Sequence, residues 1–198
     1  RMAFAYLCSN VYEWDSSFRS AQSLCMEDRT VIRSQLEKEI NSPPTSSMGR
    51  LFDAVSAFLG VRQEVNYEGQ AAIELENIVD HSERGYYPIE INVNELDTKP
   101  LWGKLIHDMQ SGTALSIMAA RFHNSIVQLS LSVSVNLRNL HGINTVALSG
   151  GVWQNKVLLT RTISLLQNNN FDVLWHKNIP ANDGGVAYGQ ACIAAHSK

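Results

Sequence analysis

From Ile143 to the C-terminus the sequence alternates between two short apolar runs and two helical patterns, and paired glycines follow each run. Ile143 to Leu148 is rich in β-branched residues and reads as a strand. Ser149-Gly150-Gly151 interrupts it, and Val152 to Leu166 takes helical spacing. Asn168-Asn169-Asn170 ends that helix, and Phe171 to Trp175 reads as a second strand. Asn178 to Asp183 is a loop, and Gly184 to Ala195 a helix of small residues. Two strands joined by a helix of this length cannot form a hairpin. They must run parallel, with a right-handed crossover. The expected class is therefore α/β with a C-terminal parallel strand-helix-strand-helix unit.

The preceding residues are mainly helical. Ile32, Leu36 and Ile40 place a helix over Glu27–Ile40, which Pro43-Pro44 excludes from continuing. Met48, Leu51, Phe52, Val55 and Phe58 predict another over Met48–Leu59, stopped by Gly60. Ile73, Leu75 and Ile78 predict a third, from Gly69 to Ile78. Tyr87 to Val93 alternates with period two and reads as a half-exposed strand. A short helix follows Pro100 on Leu101, Leu105 and Met109. Thr113 to Leu140 carries one apolar stripe, Leu115, Met118, Phe122, Ile126, Leu129, Val133, Leu137 and Leu140, which predicts one long helix. The chain thus divides into a mainly helical part, residues 1–142, and the strand-helix-strand-helix unit, residues 143–198, of one continuous domain fragment.

Composition narrows the function classes. The chain has 198 residues, 44% of them hydrophobic, enough for a core and too many for a disordered tail. Sixteen Lys and Arg against nineteen Asp and Glu give a net charge of -3, without the basic excess of a nucleic-acid binder. No apolar run approaches the ~20 residues of a membrane helix. Cys8, Cys25 and Cys192 are too few and too widely spaced for a disulfide framework or a zinc pattern. They read as reduced thiols in a cytoplasmic protein, Cys192 as a small core residue. The chain opens on Arg1 without a signal segment and is expected to be a cut from a larger protein.

Chemistry concentrates at the glycine turns. Gly150-Gly151 would let backbone N–H groups approach a ligand closely, and ligands of open α/β sheets sit at the carboxyl ends of the strands. A tight turn without a ligand would use the same residues. Asn182-Asp183-Gly184-Gly185 occupies the equivalent place after the second strand, with Asp183 a candidate helix cap or ligand carboxylate. Asp53 borders an apolar helix face near Arg50. From pattern alone it reads as an ordinary solvated helix carboxylate, and Glu68-Gly69 and Glu74 read the same way. His123 follows Phe122 on the long helix and either packs or reacts. The six histidines make no paired metal-binding spacing, and no Ser-His-Asp triad follows from spacing alone.

Several segments carry a family resemblance. Thr45-Ser46-Ser47-Met48-Gly49-Arg50-Leu51-Phe52-Asp53-Ala54-Val55, Tyr67-Glu68-Gly69-Gln70-Ala71-Ala72 and Ala119-Ala120-Arg121-Phe122-His123 occur in this order. Ser149-Gly150-Gly151-Val152-Trp153-Gln154-Asn155 and Asn182-Asp183-Gly184-Gly185-Val186-Ala187-Tyr188-Gly189-Gln190-Ala191 follow. Together they resemble the C-terminal, TsaD-like part of the hydrogenase maturation carbamoyltransferases, the HypF family. The resemblance implies a lobe of the actin/Hsp70-like ATPase superfamily. It implies ATP and carbamoyl phosphate as substrates, with a carbamoyl-adenylate made in a neighbouring domain. The carbamoyl group would pass to the C-terminal cysteine of the partner HypE, for the cyanide ligand of NiFe-hydrogenase. By motif, Asp53 resembles a ribose-binding aspartate, and Gly69 and Glu74 a nucleotide-binding glycine and glutamate. Gly150, Gly151 and Asn155 resemble a nucleotide loop, and Asp183 a ligand of a divalent metal (Mg, Zn or Fe). No residue is assigned as catalytic.

The departures matter too. Ser46, Ser47, Arg50 and Ala54 stand where TsaD relatives carry other residues, which fits HypF and disfavours a tRNA modifier. The family's paired histidines for the metal, its aspartate phosphate loop, and its acylphosphatase, zinc-finger and adenylate-forming domains are not in this sequence. The isolated chain is expected to hold no metal tightly and to transfer no carbamoyl group. The alternative is a non-catalytic nucleotide-binding or docking module of the same fold.

Overall fold

Side-chain caps and left-handed glycines decide where the helices start and stop. In this computed structural model, which describes residues 1–10, 12, 18, 23–92 and 95–196, helix α1 spans Met2–Ser9 and α2 spans Met26–Glu37. Helix α3 (Met48–Phe58) begins where Ser47 Oγ accepts the Arg50 N–H at 3.4 Å, and Gly60 follows its end at φ 72°. Helix α4 (Gln70–Asn77) starts after Gly69, itself at φ 80°. A hairpin follows, β1 (Glu90–Asn92) with β2 (Glu95–Asp97), antiparallel. Helices α5 (Lys99–Gln110) and α6 (Leu115–His141) come next, then β3 (Thr145–Leu148), α7 (Lys156–Asn168), β4 (Asp172–Trp175) and α8 (Val186–His196).

The chain forms two compact units, Arg1–Ser125 and Ile126–Lys198. The division falls within α6, earlier than the change at 142/143 that the sequence pattern suggests. The reason is packing: Leu131 and Val135, on the second half of α6, lie against the β3–β4 cluster of Leu148, Leu166, Phe171 and Val173.

In the first unit, Phe52, Phe58, Trp102 and Phe122 are buried. Phe52 meets Phe122 edge-on at 4.8 Å and Phe58 meets Trp102 at 5.6 Å, the geometry that aromatic quadrupoles favour. A polar network pins the 83–87 segment to α5 and α6. Tyr87 Oη and Arg121 Nη1 both donate to Asp108 Oδ2, at 2.8 and 2.7 Å. Asn124 Nδ2 donates to the Gly85 carbonyl at 2.8 Å. Burial pushes the Asp108 carboxyl up, but these hydrogen bonds and the Arg121 charge outweigh it and hold it below the usual range. In the second unit, β3 and β4 pair in parallel with Thr145 opposite Asp172 and Leu148 opposite Trp175.

The helix-rich α/β expectation with its parallel C-terminal unit holds. Five local readings change. The strand expected over Tyr87–Val93 is only the three-residue β1, its partner β2 was not foreseen, and Val93 lies outside the described residues. The helix expected over Glu27–Ile40 ends at Glu37, since Glu39 and Asn41 adopt positive φ. Ile73 faces outward on α4, whose buried residues are Gln70, Ala71 and Leu75. Leu137 and Leu140 are exposed, so the α6 stripe is a buried face only in its earlier turns. Cys192 is half-buried rather than in a core, because α8 buries none of its residues.

Candidate functional site

The parallel register of β3 and β4 brings the two glycine turns side by side. Leu148 and Trp175 are the last paired residues, so Ser149 and His176 leave the sheet together. Ser149 Oγ lies 3.1 Å from His176 Nε2. The next residue, Gly150, has φ 103°, and nothing lies within 4 Å of where a Cβ would sit. Its N–H donates to the Ala181 carbonyl at 2.9 Å, which ties the first turn to the loop after β4. A Cβ on Gly151 would face Asn182 Cβ at 3.8 Å, an ordinary contact. At Gly185 a Cβ would meet the Pro180 carbonyl oxygen at 2.6 Å, so a side chain is excluded there.

Two sequence expectations change here. The helix expected from Val152 begins at Lys156, after a 3₁₀ turn over Gly151–Gln154. Asn155 opens α7: its buried Oδ1 accepts the Leu158 N–H at 2.8 Å. The glycine pair therefore does not sit at the positive end of the α7 dipole. After β4, Asn182 rather than Asp183 is the cap, accepting the Gly184 N–H at 3.1 Å. Asp183 is the exposed first residue of that turn.

In the first unit, Asp53 pairs with Arg50 one turn back on α3, at 3.3 Å. Burial raises the Asp53 carboxyl above its ordinary range, against the pull of the Arg50 charge. Gly69 opens α4 with nothing within 4 Å of its Cβ position. Glu74 Oε1 accepts from Gln70 Nε2 at 2.9 Å and lies 3.7 Å from Arg62. His123 is fully buried, its ring edge-on to Phe52 at 5.3 Å. Since a carbonyl only accepts, its Nδ1 carries the proton bonded to Ala119 O at 2.8 Å. Packing, one of its two sequence readings, is what this geometry displays.

The described residues do not fit a held metal. Among the described residues no three His, Cys, Asp or Glu gather as a cation site, and a single exposed carboxylate such as Asp183 leaves mostly water ligands. The Ser149–His176 pair was missed from sequence. The signal was available only through register, since both residues stand first after a strand.

A family model described as carbamoyltransferase, Kae1-like domain, second subdomain, matches residues 1–190. The chain belongs to this carbamoyltransferase family. The carbamoyltransferase HypF of Synechocystis is 40% identical over 161 residues, 79% of this chain and 20% of that protein. A probable carbamoyltransferase HypF of Methanocaldococcus jannaschii is 33% identical over 162 residues, 81% of this chain and 21% of its own length. The chain thus spans about a fifth of the length of these two relatives. A crystal structure of full-length HypF in the phosphate- and nucleotide-bound form superimposes with a TM-score of 0.87 at 36% identity, over 98% of this chain and 26% of that one. The fold and family expected from the ordered motifs are borne out. No helix among the described residues is long and apolar enough to cross a membrane.

Proposed function

We propose that this chain supplies nucleotide-contacting residues to a carbamoyltransferase of HypF type. In this reading the longer protein converts carbamoyl phosphate and ATP to carbamoyl-adenylate in the cytoplasm. It then passes the carbamoyl group to the C-terminal cysteine thiol of HypE. Acylphosphatase, zinc-finger and adenylate-forming domains of the same protein are the proposed neighbours, and a divalent metal (Mg, Zn or Fe) would be completed by ligands outside this chain, with Asp183 as one. The proposed contacts are Asp53, Gly69 and Glu74 in the first unit, and Gly150, Gly151 and Asn155 in the second. Asp53 would take a ribose hydroxyl, and its partly buried carboxylate would make that bond stronger than in water. The contribution to acyl transfer would be positioning and charge stabilisation.

The observation that carries the reading is the Gly150 N–H bond to Ala181 O at 2.9 Å, which sets two glycine turns together at the carboxyl ends of parallel strands. Sheets of this kind bind ligands there. A second reading, a non-catalytic module of the same fold, is favoured by Asn155, whose buried Oδ1 is engaged as a helix cap. Titration with a fluorescent ATP analogue separates them. Binding that weakens in Gly151→Val and Asp53→Ala supports the transferase reading. No binding at all, or binding unaffected by either change, favours the module, in which both glycine turns are merely structural. Robust carbamoylation of HypE by the isolated chain would contradict its role as one part of a divided active site.

A further inference from the structure

We propose that Ser149 and His176 form a hydroxyl–imidazole pair that receives phosphate oxygens of the nucleotide at the Gly150–Gly151 turn. The inference rests on the nucleotide reading above and extends it to the phosphate chain. Three observations carry it. First, the pair is built by the sheet. Parallel pairing up to Leu148 and Trp175 delivers both residues to one edge, with Ser149 Oγ 3.1 Å from His176 Nε2. Both side chains are exposed, so neither bond capacity is spent on the core. Second, the adjoining backbone is open. Gly150 stands at φ 103° with nothing within 4 Å of its Cβ position, so a ligand can approach the main chain beside the pair.

Third, the composition of the second unit is basic, although Arg138 is bound to Asn144 and Asn169 at the opposite end of the strands. Residues 126–198 contain Arg138, Lys156, Arg161, Lys177 and Lys198 against Asp172 and Asp183, a net charge of +3 in a chain of -3. Lys177 directly follows His176, its Nζ over the Trp175 ring at 4.7 Å from the centroid. A hydroxyl and an imidazole at one strand edge, followed in sequence by an ammonium, match a phosphate's several acceptor oxygens. They match the uncharged base or ribose of a nucleoside less well. Asp183, exposed on the adjoining loop, is the acidic neighbour that such an anion must tolerate.

The test uses the whole chain and follows His176 ring signals by NMR during titration with ATP, adenosine and inorganic pyrophosphate. ATP and pyrophosphate are expected to move those signals, and adenosine is not. His176→Gln is expected to weaken ATP binding about tenfold while leaving adenosine binding unchanged. Ser149→Ala should act in the same direction with a smaller effect. Unchanged ATP binding in His176→Gln overturns the inference and leaves the nucleotide reading intact. Equal losses for ATP and adenosine also overturn it, because the pair would then serve the nucleoside. Binding of pyrophosphate without ATP supports the anion contact and counts against the nucleotide reading. A wild-type chain that binds none of the three removes both.

Discussion

Single residues in this chain are held by two different constraints. At Gly150 the constraint is backbone conformation, since φ is 103° and the space beside it is open. At Gly185 it is space, since a Cβ would lie 2.6 Å from the Pro180 carbonyl. Gly150→Ala should therefore cost about 1–2 kcal/mol through strain alone. Gly185→Ala should cost more, because the 180–185 loop must move. Urea unfolding of the two variants checks the order. Asp53 shows a third case, a group whose burial acts against the fold. Its carboxyl is raised, so the folded state holds the proton more tightly than the unfolded chain. Stability from this group is present at low pH and is lost as pH rises through the raised value. Asp53→Asn should thus gain stability relative to the native chain at neutral pH, with the gain shrinking toward about pH 3. A variant equally stable or less stable at neutral pH would show that the Arg50 pair outweighs burial.

Helices in this chain are placed by caps as much as by apolar stripes. Asn155 is the clearest instance. It is 8% exposed, and its Oδ1 takes the Leu158 N–H at 2.8 Å. Asn155→Ala should cost about 1–2 kcal/mol, and Asn155→Asp much less, measured by urea unfolding. If Ala is tolerated without loss, the side chain serves something other than α7. Periodicity located α3, α4, α5 and α6 closely but overstated the buried faces of α4 and α6. Ile73, Leu137 and Leu140 satisfy helical spacing and still face outward. Spacing reports which residues share a face, not whether another element covers it. Strand β2 escaped notice because Glu95-Leu96-Asp97 has too little alternation to be distinctive, and only its pairing with β1 makes it a strand.

At the scale of the whole molecule, charge is unevenly shared. The residues after Ser125 carry +3, those before it -6, within the overall -3. A net acidic chain can therefore still offer an anion a favourable surface. Metal should contribute nothing to the stability of this chain alone, as no three candidate ligands gather among its described residues. Treatment with EDTA is expected to leave the melting temperature unchanged, and a clear drop would reveal a bound ion. The sequence by itself determined the parallel C-terminal unit, because a helical connection between two short strands leaves no antiparallel solution. It also determined the family, through motifs that occur in a fixed order. It placed Gly150, Gly151 and the Asn182–Gly185 turn on equivalent strand ends. Only the tertiary structure decided how those ends meet. The register of β3 and β4 set Ser149 against His176, and a Cβ clash with Pro180 explained Gly185. Packing moved the unit boundary into α6. The Ser149–His176 contact and the α6 packing join residues far apart in the chain, and local pattern carries no information about distances that long-range pairing sets, while the Pro180–Gly185 clash depends on the conformation of one loop.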